Sequence, residues 1–573
     1  METAQKKIAI GIQDFSSLIQ NGYFYIDKTE FIREWWESGD SATLLNRPRR
    51  FGKTLNMSMV EQFFSLEYAD QGKLFEALSI WNHEKYRSLQ GTFPVISLSF
   101  ARVKEKNFQQ TKDKIYEILT NLYVKFSYLR DSEKLTDTDR LFIDRILKER
   151  MRDSDATSAL YQLASFLYRH YGKKVIILLD EYDTPMQEAY VNGYWDDLAA
   201  FIRSLFNSTF KTNPYMERGI LTGITTVSKE SIFSDLNNLK VITLTSEEYA
   251  DSFGFTQEEV FHALDAYGLT EKNELVKKWY DGFTIGKRKD IYNPWSILNF
   301  LDKRLLGTYW ANTSSNSLIS KLLREGNYKI KEKFEALLSD QTIFSVIDEQ
   351  IVYNQLNGSE KAIFSLLLTS GYLRIVSRES YEELSAQRMP RYQLKLTNLE
   401  VKLMFQNMIL DWFADAEGDY NDFILAMLTG DLDAMNAYMN RVALQTFSYF
   451  DTGKNASSAD PERFYHGFVL GLLVELKDKY TIRSNRESGF GRYDVILEPK
   501  EPANSKAFIL EFKVRNPGKE KTLEETAKEA LLQIKEKKYE EELLRSGVTK
   551  PQIHCYGFAF EGKKVLIAEE LPD

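Results

Sequence analysis

An α/β fold built on a parallel sheet is what the first half of this sequence predicts, and three stretches predict it. Residues 42–45 are an apolar strand, followed by a basic loop and by Gly52-Lys53-Thr54, which opens a helical pattern with Leu55, Met59, Phe63 and Phe64. Val175 to Leu179 is a continuous apolar run ending in Asp180-Glu181, the pattern of a central parallel strand buried on both faces. A third strand, Arg218-Gly-Ile-Leu-Thr-Gly-Ile-Thr, ends in hydroxyls. The chain has 573 residues, which at roughly 100–200 residues per domain exceeds what one hydrophobic core serves.

Composition narrows the chemistry. Cys555 is the one cysteine, and the five histidines stand apart with no HxxxH spacing, so intramolecular disulfides, thiolate metal sites and imidazole metal sites are excluded. A metal must then sit on carboxylates. No apolar run approaches the roughly 18–20 residues of a membrane span, and the start METAQKKIAIGIQDF lacks a signal-peptide apolar stretch, which gives the expectation of a cytoplasmic protein without a membrane partner. A net charge of −9 argues against coating nucleic acid through the overall field, so any such binding must be local.

The order strand, loop, helix N-terminus holds a phosphate with backbone N–H groups and the helix dipole. Arg50, Phe51, Gly52, Lys53 and Thr54 are therefore the expected nucleotide-binding residues, Lys53 reaching the β/γ-phosphates and Thr54 ligating magnesium. Arg47 stands where the general GxxxxGK[ST] motif has glycine. Carboxylates at the C-terminal end of a central strand lie where α/β sheets bind ligands. Asp180 is thus expected in the shell of Mg2+, and Glu181 as the group that orients or deprotonates the attacking water. Thr222 or Thr225 can sense the γ-phosphate or simply fill the core, with Thr222 taken first. Arg203 and Arg218 are both available as charge-stabilising arginines.

Residues 251–335 open with Thr256-Gln257-Glu258-Glu259, a capping box that starts a helix towards Leu264. The aromatics of KWYDGF (278–283) and YNPWS (292–296) read as core more readily than as a stacking surface. Residues 336–412 run helix, strand, strand, helix, the order of a winged-helix-like module.

A second chemical constellation lies near the C-terminus. KAFILEFKV is a strand whose Glu511 and Lys513, at i and i+2, share a face. Asp494 lies 17 residues before Glu511 on a strand that pairs with it if the loop 499–504 folds back. Asp, then Glu-x-Lys, on adjacent strands is the PD-(D/E)-x-K pattern: two carboxylates offer hard oxygen ligands to a divalent ion, and a lysine positions water and offsets charge. Glu462, at the start of the preceding apolar helix, is the expected further metal ligand, with Glu475 the competing choice. Gln533 and Tyr539, on a helix downstream, either support the substrate strand or are ordinary surface and half-buried groups. Lys477, Lys479, Arg483, Arg486, Arg492 and Arg515 gather around this region as a basic surface or a solvated rim.

The segments IGIQDFSSLIQNGYFYIDKTEFI, LLNRPRRFGKTLNMSM, DEYDTP, TGIT, IFSDLNNL, FGFTQEEV, KWYDGF, YNPWSILNF, YWANTSSN and GYLRI resemble the bacterial AAA-ATPase-like family, in which RPRRFGK[ST] is the usual P-loop variant. YHGFVLGLL, SNRESGFGRYD, ILEFKV and YGFAFEGKKV resemble the nuclease-type domain that follows it. The resemblance implies a P-loop AAA-like ATPase domain at 1–250, a helical lid at 251–335, the winged-helix-like module at 336–412 and a restriction-endonuclease-like α/β domain at 413–573. It implies ATP and Mg2+ as cofactors and nucleic acid, DNA ahead of RNA, as partner, and it leaves a homo-oligomer open. The expected function is an ATPase that regulates a magnesium-dependent nuclease with Glu181, Asp494, Glu511 and Lys513 as catalytic residues. The alternative is a nucleotide-dependent switch or scaffold whose C-terminal domain binds without cleaving.

Overall fold

The structure is a computed structural model. It describes residues 5–227, 232–233, 236–311, 317–325, 328–338, 340–351, 356, 359–379, 389–414, 420–446, 469, 473, 476, 479–484, 487–488, 491–492, 495–502, 505–516, 518, 520–561 and 564–570. The chain forms two compact units, Met1–Gly326 with Asp340–Leu403, and Asn327–Ser339 with Met404–Asp573.

The first unit is built on strands β1 (Ala42–Asn46), β2 (Val95–Ser99), β3 (Val175–Asp180), β4 (Met216–Gly223), the short β5 (Thr226–Val227) and β6 (Leu239–Ile242). Five of them make a parallel sheet in the order β2-β3-β4-β1-β6. Val175 to Leu179 are fully buried, as the apolar run predicts, and each such side chain contributes roughly 1.5–3 kcal/mol. β4 separates β1 from β3, so the loop after β1 and the carboxylates ending β3 face each other across one intervening strand. The helix Lys53–Phe64 begins at Gly52, whose φ of +83° is open to glycine at little cost, and no side chain caps it. Its first N–H groups thus receive no cap from a side chain.

Beyond this sheet, β7 (Phe255–Thr256), β8 (Phe283–Ile285) and β9 (Arg288–Tyr292) form a small sheet in the order β7-β9-β8. The predicted capping box is present: Thr256 Oγ1 accepts from Glu259 N at 3.3 Å, and the Glu259 carboxylate accepts from Thr256 N at 2.8 Å. Tyr280, Phe283 and Tyr292 are buried and belong to the core, whereas Trp279 and Trp295 of the same motifs are half-buried. Next come β10 (Ile343–Val346), β11 (Gln350–Ile351), β12 (Leu373–Arg378) and β13 (Arg391–Leu396). β10, β13 and β12 form an antiparallel sheet, and the helix Glu360–Thr369, β12, β13 and the helix Leu399–Ala414 follow one another in the helix-strand-strand-helix order read from the sequence.

Glu400 opens the last of these helices, 1% exposed, and accepts hydrogen bonds from Ser296 Oγ (2.8 Å), Trp310 N (2.6 Å) and Ala311 N (3.3 Å). Burial raises its pKa to about 7 against these donors. A carboxyl whose folded pKa lies above its unfolded value stabilises the fold fully below the unfolded value, and that stability is lost as pH rises through the folded pKa. Melting temperature is therefore expected to fall between about pH 4.5 and 7, and Glu400→Gln to flatten the profile in that window. An unchanged slope in the variant would assign the effect elsewhere.

The second unit carries β14 (Tyr480–Ser484), β15 (Glu487–Ser488), β16 (Gly491–Arg492), β17 (Val495–Pro499), β18 (Ala507–Val514), β19 (Ile553–Glu561) and β20 (Lys564–Glu570). Its mixed sheet has the order β14-β17-β18-β19-β20, in which β18 and β19 are parallel and the helix Leu523–Lys537 makes the crossover. A Cβ at Gly557 would stand 2.6 Å from Ala527 O, so glycine is what lets this helix approach β19. The continuous helix expected to carry Gln533 and Tyr539 breaks instead. It ends at Lys537, Lys538 has φ +53°, and a new helix covers Glu540–Arg545. The break turns Tyr539, fully buried, into a core with Ile534, Leu543 and Ile553. The apolar helix expected over 461–476, with Glu462 and Glu475, lies outside the described residues apart from Val469, Leu473 and Leu476, which are buried.

Candidate functional site

The P-loop helix and the ends of β3 and β4 meet through their side chains. Thr54 Oγ1 donates to Asp180 Oδ2 at 2.7 Å, and Thr222 Oγ1 donates to Asp180 Oδ1. Asp180 is 5% exposed, and burial raises its pKa although both hydroxyls favour the anion. Thr222 Oγ1 also accepts from Glu181 N at 3.3 Å, so one hydroxyl orients both adjacent acidic residues. Glu181 has φ +56°, accepts from Thr184 Oγ1 at 3.1 Å and lies 4.0 Å from Lys53 Nζ. Lys53, almost fully buried, donates to the carbonyls of Arg47 (3.0 Å) and Pro48 (3.1 Å).

These residues border a cavity of about 600 Å³. Arg50, Phe51, Gly52, Lys53, Thr54 and Glu181 line it, whereas Asp180 and Thr222 lie behind that lining and Thr225 is part of it. The far wall comes from the N-terminal segment, with Ile12, Phe24 and Ile26, and another wall from Pro294, Trp295 and Trp310. Trp295 lies under the Arg50 guanidinium, 4.2 Å from ring centroid to Cζ. Asn293 caps its helix by accepting from Trp295 N at 2.9 Å and donates Nδ2–H to Arg49 O at 3.2 Å. Arg203 and Arg218 do not line the cavity; Arg218 packs over Trp36 at 4.7 Å and donates to Trp35 O.

One residue of this region carries no role in the sequence reading. Asp183 is fully buried and accepts from Ile224 N (3.0 Å), Thr225 N (2.9 Å) and Thr225 Oγ1 (2.9 Å), fixing the chain that leaves β4. Its signal was a third acidic residue in DEYDTP, too close to a strand end to be distinguished from a turn.

The donor set suits magnesium. Among the described residues no group of three or more His, Cys, Asp or Glu side chains gathers as a metal cage. A single buried carboxylate and one hydroxyl 2.7 Å apart, both hard oxygens beside an open cavity, match an ion that keeps waters and takes phosphate oxygens.

In the second unit Glu511 is 3% exposed on β18, and Gln533 donates its amide to Glu511 Oε1. Gln533 Nε2 also reaches Tyr539 Oη at 3.5 Å. Lys513 follows on the same strand and is half-buried. β17 and β18 pair antiparallel, Val495 opposite Leu510; Val495 directly follows Asp494 in sequence and Leu510 directly precedes Glu511. Asp494 itself lies outside the described residues, as do Glu462, Lys477 and Arg486. Of the basic surface, Arg483 is paired with Glu498 and Glu542 and Arg515 with Glu561. These two cations are therefore committed within the fold.

A parallel sheet with a P-loop helix opposite an acidic strand end marks the first class of domain, an AAA-ATPase-like one; a mixed sheet bearing Glu-x-Lys is compatible with the second, a PD-(D/E)XK nuclease fold. Residues 9–233 match the family described as predicted AAA-ATPase, and residues 460–570 match the PD-(D/E)XK nuclease superfamily. The chain thus joins an AAA-ATPase-like domain to a nuclease-superfamily domain. It is 26% identical over 575 positions, spanning 97% of both chains, to "Uncharacterized protein in vnfD 5'region" of Azotobacter chroococcum mcd 1. Among solved structures it is similar to the Walker-type ATPase PABY2304 of Pyrococcus abyssi, with 13% identity, 71% of this chain and 99% of that one covered, and a TM-score of 0.33. For the ORC2 protein of Aeropyrum pernix the values are 10%, 66%, 92% and 0.25. No helix among the described residues is long and apolar enough to cross a membrane.

Proposed function

We propose that the first unit binds and hydrolyses ATP in the cavity at the P-loop, that this regulates the C-terminal domain, and that the C-terminal domain cleaves nucleic-acid phosphodiesters, DNA first, in the cytoplasm. The observation that carries the ATP reading is the hydrogen-bonded line Thr54–Asp180–Thr222 across the helix, β3 and β4. Lys53 would exchange the carbonyls of residues 47 and 48 for phosphate oxygens, a short movement of an ammonium already at the loop. The uncapped N–H groups of helix 53–64 add a fixed positive end. Thr54 and Asp180 would hold Mg2+, which supplies charge neutralisation on the phosphates when bound. Glu181, held by Thr184 at the cavity edge, orients the attacking water and takes its proton.

In the C-terminal domain Glu511 would hold the divalent ion together with Asp494 and Glu462, and Lys513 would stabilise the charge that develops on the scissile phosphate. Gln533 fixes the Glu511 carboxylate. The second reading, a switch whose C-terminal domain binds without cutting, draws support from Arg483 and Arg515, whose ion pairs withdraw two cations from the phosphate backbone. Incubating single- and double-stranded DNA and RNA with the full chain and Mg2+, with and without ATP, separates the two. Metal-dependent cleavage that responds to ATP is expected. Binding of ATP and nucleic acid with neither turnover nor cleavage would favour the switch.

A further inference from the structure

Arg47 occupies the position at which a general P-loop carries its first glycine, yet it is fully buried. Its Nη1 donates to Asn46 O (3.0 Å) and Thr243 O (2.8 Å), and its Nη2 to Glu248 O (3.0 Å) and Tyr249 O (3.4 Å). The guanidinium also lies 5.6 Å from the Phe253 ring. Its backbone N–H continues the β1–β4 ladder by donating to Gly223 O at 3.1 Å, and its carbonyl accepts from Lys53 Nζ at 3.0 Å. Further along, Gly254 N donates to Phe51 O at 3.3 Å and Asn56 Nδ2 to Ser252 O at 2.8 Å. The segment 243–254 therefore clasps the loop at both ends, and Arg47 is the side chain that makes the first clasp.

Resting on the ATP-site reading above, we infer that Arg47 is a positioning residue for Lys53. By pinning the first peptide of the loop to the carbonyls that follow β6, it fixes the two carbonyls that hold the lysine ammonium at the phosphate site. A planar fork with five donors spans these four carbonyls in one fixed geometry; an ammonium, a compact group with three donors, covers fewer of them and over a shorter reach. The departure from glycine is thus a gain of rigidity, with the side chain turned away from the ligand.

The test is a double-mutant cycle in the full chain, with dissociation constants for Mg·ATP and AMP measured by calorimetry in wild type, Arg47→Lys, Lys53→Ala and the double variant. Lys53 serves the β/γ-phosphates, so Arg47→Lys should weaken ATP about tenfold or more, the effect of losing hydrogen bonds to a charged group, and leave AMP nearly unchanged. The double variant should bind ATP no worse than Lys53→Ala alone. Equal weakening of ATP and AMP, or additive effects, overturns the inference, because general damage to the loop would act on both ligands and independently of Lys53. Arg47→Gly restores the general motif and should also lose ATP selectively; wild-type affinity in it overturns the inference too. Where these variants do not fold, judged by circular dichroism, Phe253→Leu leaves the loop sequence intact and withdraws the ring beside the guanidinium. It should give a smaller ATP-selective loss, and an unaltered affinity there overturns the inference. If Lys53→Ala binds ATP as wild type does, the ATP-site reading falls and the inference with it; if only the cycle is additive, the reading stands and the role of Arg47 falls.

Discussion

Glu511→Ala and Lys513→Ala are each expected to abolish metal-dependent phosphodiester cleavage, a loss of at least about 10²–10³-fold, while ATP affinity stays at the wild-type value. Glu511 sits in a central strand with β17 and β19 on either side, 3% exposed, where an ionised carboxylate is costly unless something engages it. Gln533 engages one oxygen, and Gln533 is held in turn near Tyr539, which the break at Lys538 buries fully. On the proposed reading, a carboxylate at such a place would serve a divalent ion beside a phosphate. Glu511→Gln is the sharper variant, since it keeps shape and removes the anion; it should melt close to wild type and still fail to cleave. Cleavage unchanged in both Glu511→Ala and Lys513→Ala would sink the assignment of the site to β18.

What the sequence made legible follows from range. The P-loop is written in contiguous residues, strand then Gly52-Lys53-Thr54, and Asp180 is written at the end of an apolar run, so local pattern suffices for both. The capping box at Thr256 and Glu259 is local as well. Arg47 was legible as an anomaly and not as a device, because the carbonyls of Thr243, Glu248 and Tyr249 that receive it are about 200 positions away in sequence. Trp295 under Arg50 and the cavity wall at Ile12, Phe24 and Ile26 were hidden for the same reason. The helix break at Lys538 went unseen because KEKKYEEELL is a strong helical string, and only the burial of Tyr539 against Ile534 and Leu543 overrides that propensity. That Arg483 and Arg515 of the basic cluster have carboxylate partners was hidden as well, since composition does not reveal Glu542 and Glu561 beside them.

Lys53→Ala and Glu181→Gln should damage ATP turnover in different ways. Lys53 is almost fully buried, with the Glu181 carboxylate 4.0 Å from its ammonium and the carbonyls of Arg47 and Pro48 accepting its hydrogen bonds. An ammonium so arranged is stabilised chiefly by dipoles and becomes far better satisfied when phosphate oxygens arrive, so its removal should raise the ATP dissociation constant and lower the turnover rate together. Glu181→Gln keeps the hydrogen bond from Thr184 and the φ of +56°, and so keeps the loop. It takes away the proton acceptor at the cavity edge and one negative charge near the phosphates. Binding of ATP should hold or tighten while turnover drops about 10²–10⁴-fold, the range of a lost general base. Pre-steady-state release of phosphate distinguishes this from a slowed product step: the chemical step itself must be slow. A Glu181→Gln protein that turns ATP over at the wild-type rate would move the water-activating role to another group, and Asp183, already committed to the peptide N–H groups of residues 224 and 225, is poorly placed to inherit it.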